Sequence, residues 1–179
     1  SAPCVRCRPG RFLFDSDECE DCPLGFSNPN SGLPFCLPCL PGEFGNKTGI
    51  LSCLKCEAGS KSEKQSTTNC TLCDAGYWSK KGSATCTSCG AGKYSNEQGV
   101  ECKQCPEGYY RINDGNSEEI SPTAYTSCVA CPSGYYQNNK GRASCLPCLP
   151  GQFGNETRML ICHESVSYTH LTLPTISDV

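Results

Sequence analysis

Cys36-Leu37-Pro38-Cys39-Leu40-Pro41-Gly42-Glu43-Phe44 decides how this chain is built, and Cys53 follows fourteen positions after Cys39. The stretch is one copy of a unit that recurs through residues 1–162: C-x-x-C-x-x-G-x-aromatic, a short polar loop, then the next C-x-x-C. The pairs are Cys4/Cys7, Cys19/Cys22, Cys36/Cys39, Cys53/Cys56, Cys70/Cys73, Cys86/Cys89, Cys102/Cys105, Cys128/Cys131 and Cys145/Cys148, and Cys162 follows alone. Successive pairs lie 15 to 17 residues apart, with one step of 26. A fixed short period means an array of small structural units rather than one large core.

Composition agrees. The 179 residues include 19 cysteines, a density that marks a disulfide scaffold. Such scaffolds persist in oxidising compartments. Few aliphatic and aromatic residues remain to build a core, so covalent links are expected to hold each unit. The net charge of −3 carries no block of one sign, which argues against a nucleic-acid or polybasic membrane footprint. No apolar run is long enough to span a bilayer. The opening Ser1-Ala2-Pro3-Cys4 has no apolar leader, as expected of a mature N-terminus or an internal segment.

Three residues after the second cysteine of every pair stands a glycine, from Gly10 to Gly151. Proline or a small residue before it makes a tight turn, in which glycine takes positive φ without steric cost. Two positions on there is an aromatic in seven of nine units: Phe12, Phe44, Trp78, Tyr94, Tyr110, Tyr136 and Phe153. Unit two places Phe26 one position earlier, and unit four has Lys61 instead. The rings are expected to start a short extended segment and to cover the nearby disulfide. Loops such as Asn28-Pro29-Asn30-Ser31-Gly32 and Asn138-Asn139-Lys140-Gly141 lie midway to the next cysteine, where a hairpin reverses. The predicted fold is therefore small and disulfide-rich: an elongated tandem array of irregular β-hairpins, one disulfide per unit, with little or no helix.

A longer period overlies the short one. The run from Cys36 to Cys53 returns 109 residues later from Cys145 to Cys162, as expected if a six-unit block was duplicated. One unit is long, with an acidic, polar stretch in 106–127 around Asn113-Asp114-Gly115-Asn116-Ser117-Glu118-Glu119. It reads as a solvated loop, or as a partner contact or weak cation site. Asp15-Ser16-Asp17-Glu18 is a second acidic group, read as a solvated loop, with a cation-binding cluster as the alternative.

Sequence leaves the disulfide connectivity open. If the second cysteine of each pair bonds the first of the next, each unit closes one loop. The bonds are then Cys7–Cys19, Cys22–Cys36, Cys39–Cys53, Cys56–Cys70, Cys73–Cys86, Cys89–Cys102, Cys105–Cys128, Cys131–Cys145 and Cys148–Cys162. Cys4 is left for a unit preceding it. Each such loop is worth roughly 3 kcal/mol in the chain-entropy account. An alternating pattern, first to third and second to fourth, ranks second. The rival chemistry is zinc, because two C-x-x-C pairs at this separation could form a Cys4 site in an intracellular module. The unbroken run of nine pairs and the turn after every pair weigh against it. A redox C-x-x-C would need a βαβ setting, which is not present. No cofactor or metal site is expected.

Asn46, Asn69 and Asn155 begin N-glycosylation sequons, and Asn46 and Asn155 hold the same place in their units. Asn69 precedes Cys70, which makes its occupancy less favourable.

The unit resembles the tyrosine-kinase ephrin type A/B receptor-like cysteine-rich repeat. Cys105-Pro106-Glu107-Gly108-Tyr109-Tyr110 and Cys131-Pro132-Ser133-Gly134-Tyr135-Tyr136 carry the likeness best. It is also similar to the modules of tumour-necrosis-factor receptors and to C-x-x-C-rich surface proteins of protists. The resemblance implies an extracellular or cell-surface, non-enzymatic segment that spaces domains or binds a protein ligand. Residues 163–179 fall outside the repeat: position 165 is Ser165 where a cysteine is due, and the stretch holds both histidines, His163 and His170. They read as a non-repeat tail, disordered or foreign to the array. Without histidine in the repeats, and with no nucleophile–base or paired-carboxylate constellation, no enzyme is expected.

Overall fold

The computed structural model describes residues 6–15, 18–112 and 126–166. Cys4, His170, the middle of the acidic stretch beginning at Asp15, and the 113–119 stretch of the long unit lie outside these residues.

The described chain is a file of nine two-stranded antiparallel sheets, each formed by consecutive strands, and holds no helix. One hairpin is built as follows. Leu40-Pro41-Gly42-Glu43 turns back on itself, and the Glu43 amide donates to the Leu40 carbonyl at 2.9 Å. Gly42 has φ +88°, the value that the third position of a type II turn demands, and Pro41 presets the position before it. Glu43–Phe44 then pairs with Leu54–Lys55, the two residues inside the next C-x-x-C. The Cys56 amide closes the hairpin on the Gly42 carbonyl at 2.9 Å.

Hairpin one is longer, Arg11–Asp15 on Glu18–Asp21, with a register shift between Leu13 and Asp15. The last hairpin pairs Gln152–Phe153 with His163–Glu164. This corrects the boundary expected at residue 162. Every hairpin after the first takes its second strand from the residues after its closing cysteine, so the last one extends to Glu164. The Ser165 amide donates to the Gly151 carbonyl at 2.7 Å, as Cys56 does to Gly42, because the backbone bond needs no thiol. The expectation of a disordered or foreign tail, for the stretch beyond residue 166, lies outside the described residues.

The nine disulfides each close one hairpin: Cys7–Cys19, Cys22–Cys36, Cys39–Cys53, Cys56–Cys70, Cys73–Cys86, Cys89–Cys102, Cys105–Cys128, Cys131–Cys145 and Cys148–Cys162. Their Cα atoms lie between 5.5 and 5.8 Å apart, the ordinary span of a cystine. The two cysteines of one C-x-x-C therefore belong to neighbouring loops. In eight hairpins the first half-cystine is buried: among the described residues, Cys7, Cys22, Cys39, Cys56, Cys73, Cys89, Cys105 and Cys131 form the apolar core.

Candidate functional site

The sites that matter here are the joints between hairpins and the faces they leave outside. Each of the first eight turn glycines donates its amide to the next unit, at the carbonyl of the residue that follows the aromatic position. Gly25 reaches Gly45, Gly42 reaches Ser62, Gly59 reaches Ser79 and Gly92 reaches Arg111, at 2.8 to 2.9 Å. A second bond runs the other way. Gly49 donates to the Cys22 carbonyl, Gly82 to Cys56 and Gly99 to Cys73, so the loop of each unit caps the cystine of the one before. The same loops touch the turn glycine two units back: a Cβ on Gly42 would meet the Gly82 carbonyl oxygen, and one on Gly59 the Gly99 oxygen, at 2.2 Å. Among the described residues, these contacts reach one or two units along the file and no further. Growth by nearest-neighbour contacts makes the array quasi-one-dimensional, hence elongated.

The position after the aromatic is the polar centre of each joint. Asn28, Ser62, Ser79, Ser95, Arg111 and Gln137 are all buried there. Asn28 donates from Nδ2 to the Arg11 carbonyl at 2.7 Å and accepts from the Asn30 amide at 3.1 Å. Ser79 donates to the Ser60 carbonyl of unit four at 2.8 Å. The Arg111 guanidinium reaches three backbone carbonyls of unit six: Cys89, Gly90 and Lys93. Every buried side-chain nitrogen and oxygen among the described residues has a partner. Where the position is glycine, a loop residue fills the room, Ile50 over Gly45 and Met159 over Gly154. Reading the sequence for apolar and cysteine positions passes over this column. Its signal is a polar or small residue at one fixed register in eight consecutive units.

The aromatic rings are half-buried, apart from the exposed Phe153, which tilts against His163 at 5.7 Å between ring centres. Unit four, without a ring of its own, receives one: Trp78 of unit five lies over Gly59. Lys61 takes the ring's place and donates to Glu63, and that hydrogen bond and positive charge hold the Glu63 carboxyl below its ordinary range.

Asn46, Asn69 and Asn155 are exposed. No group of three metal-binding side chains occurs among the described residues. The grooves are open at the surface. One is lined by Tyr110, Pro132, Tyr135, Ser144 and Cys145, beside the long unit. Another is lined by leucines of units two and three with Glu43. No helix of the described residues is long and apolar enough to cross a membrane.

Fold and joints together define a disulfide-stapled tandem array of hairpins. Residues 119–158 match the family model described as tyrosine-protein kinase ephrin type A/B receptor-like, and a disulfide-closed hairpin recurs along the described residues. No curated protein matches the chain.

Proposed function

We propose that this chain is an extracellular spacer: a covalently stapled rod within a cell-surface or secreted protein that holds neighbouring extracellular domains apart. The observation that carries this is the joint. Each hairpin is fixed to the next by backbone hydrogen bonds from turn glycine and loop, and each is closed by its own disulfide. Links of this kind resist bending at every step, and disulfides at this density belong to oxidising compartments. The exposed sequons at Asn46, Asn69 and Asn155 support the same location. The rod carries no catalytic role in this reading. Zinc would require free thiolates, whereas the eighteen described cysteines are in disulfides.

A second reading, a protein-binding ectodomain, is favoured by the groove at Tyr110 and Tyr135. Tyr135 is exposed and Tyr110 half-buried, and tyrosines beside a long insertion are common anchors for protein ligands. Intact mass after secretion, alkylated without reduction and with metal measured on the same sample, tests the location. Nine disulfides and no zinc support an extracellular rod; zinc at about one per four cysteines sinks it. Small-angle scattering then tests the shape, and a compact particle would refute the spacer.

A further inference from the structure

The duplicated units three and nine carry more than a common ancestry. Leu37, Leu40 and Leu51 line one surface groove, and all three are exposed. Their counterparts 109 residues on, Leu146, Leu149 and Leu160, are exposed as well. Loop faces of a solvated rod are expected to be polar, and clustered leucines on a monomer's surface mark a contact.

The charges at corresponding places in the two units differ. Glu43 lines the first groove, and Lys55 stands opposite it in the strand pair. Lys47 lies in the loop of the same hairpin. The corresponding places in unit nine hold Gln152, Glu164 and Glu156, with Gln152 opposite Glu164. Lys47, Lys55, Glu156 and Glu164 are all exposed. Corresponding leucine positions thus go with Lys47, Lys55 and Glu43 in one unit and with Glu156, Glu164 and Arg158 in the other, a net positive set against a net negative one. Such a pair is matched to itself across two molecules: apolar against apolar, with opposite charges at the rim.

We propose that the leucine group of unit three in one copy docks on the leucine group of unit nine in a second copy, with Lys55 facing Glu164 and Lys47 facing Glu156. A two-fold arrangement makes this contact twice and closes a dimer. The inference does not depend on whether the protein spaces or binds other domains.

Charge exchange tests it on the whole 179-residue chain after secretion and enzymatic glycan trimming, so that sugars at Asn46 and Asn155 do not cover the contact. Sedimentation velocity across a concentration series reads the association. Lys55→Glu and Glu164→Lys each weaken it roughly tenfold, and Lys55→Glu/Glu164→Lys together restore it. An equimolar mixture of the two single variants forms mixed pairs. Leu40→Ser with Leu149→Ser abolishes association. All four residues are exposed, and unchanged intact mass without reduction verifies that every variant keeps its nine disulfides. A parent chain that stays monomeric up to its solubility limit overturns the proposal and leaves the leucines to a protein of different sequence. So does association that the exchange variants do not change.

Discussion

Gly42 faces the carbonyl oxygen of Gly82, two hairpins away, so closely that a Cβ would lie 2.2 Å from it. Two constraints coincide there. The turn holds Gly42 at φ +88°, and the neighbouring backbone leaves no room for a methyl group. Gly151 shares the turn but not the neighbour: it stands at φ +85°, and open space of 4 Å surrounds the place a methyl group would take. Gly42→Ala is expected to cost about 2–4 kcal/mol, strain and overpacking together, and Gly151→Ala about 1–2 kcal/mol, strain alone. Thermal unfolding of the two variants beside the parent reads the difference. Equal losses would mean that the stacking contact contributes nothing.

Among the described residues, the loop positions that cap the preceding cystine are left-handed, and most are glycine. Two are not: Ser66 at φ 57° and Arg158 at φ 64°. An L-residue there carries strain that glycine avoids, partly offset by the larger freedom glycine loses on folding. Ser66→Gly is expected to stabilise the array by about 0.5 kcal/mol, and Gly49→Ser, the converse change, to destabilise it by a similar amount or more. Arg158 is the less useful site, because its guanidinium also donates to the Tyr109 hydroxyl at 3.2 Å and that bond raises its pKa. Denaturant midpoints of the Ser66 and Gly49 variants should move in opposite directions; shifts of the same sign would contradict the account.

Asn28 and Arg111 test the polar column at the joints. Asn28→Ala removes the donor to the Arg11 carbonyl and the acceptor for the Asn30 amide in a fully buried place. The expected loss is about 1–3 kcal/mol. Arg111→Lys keeps the charge but cannot span the Cys89, Gly90 and Lys93 carbonyls with a point-like ammonium. Hydrogen exchange should quicken around unit six in that variant and stay unchanged around units two and three. Uniform quickening would show that the joint is not local.

These residues also show what a sequence of this kind makes legible. The hairpin unit, its turn glycine and its closing cysteine follow from chemistry within about twenty residues, so they are written in the spacing itself. The joints are not. Gly42 meets Gly82 through a stacking geometry that no local pattern encodes, and Ser79 is buried because unit four lies on it, not because it is apolar. A boundary at residue 162 follows from counting cysteines. The last strand depends on backbone pairing instead, which His163 and Glu164 supply as well as any residues between two cysteines.

The cystines should differ in how readily they are reduced, for the same reason of stacking. In the first eight hairpins one half-cystine is buried, covered by the unit that follows. In hairpin nine both Cys148 and Cys162 are only half-buried. Thiol–disulfide exchange needs an attacking thiolate to reach a sulfur, so access sets the order when the bonds are otherwise alike. Cys148–Cys162 is therefore expected to open first under graded reduction, while the internal bonds persist. Brief treatment with increasing thiol reductant, alkylation and peptide mass mapping should find label on these two cysteines before any other described pair. Early label on Cys56 or Cys73 would show that neighbouring hairpins part in solution more easily than their shared hydrogen bonds imply, and would weaken the case for a stiff rod.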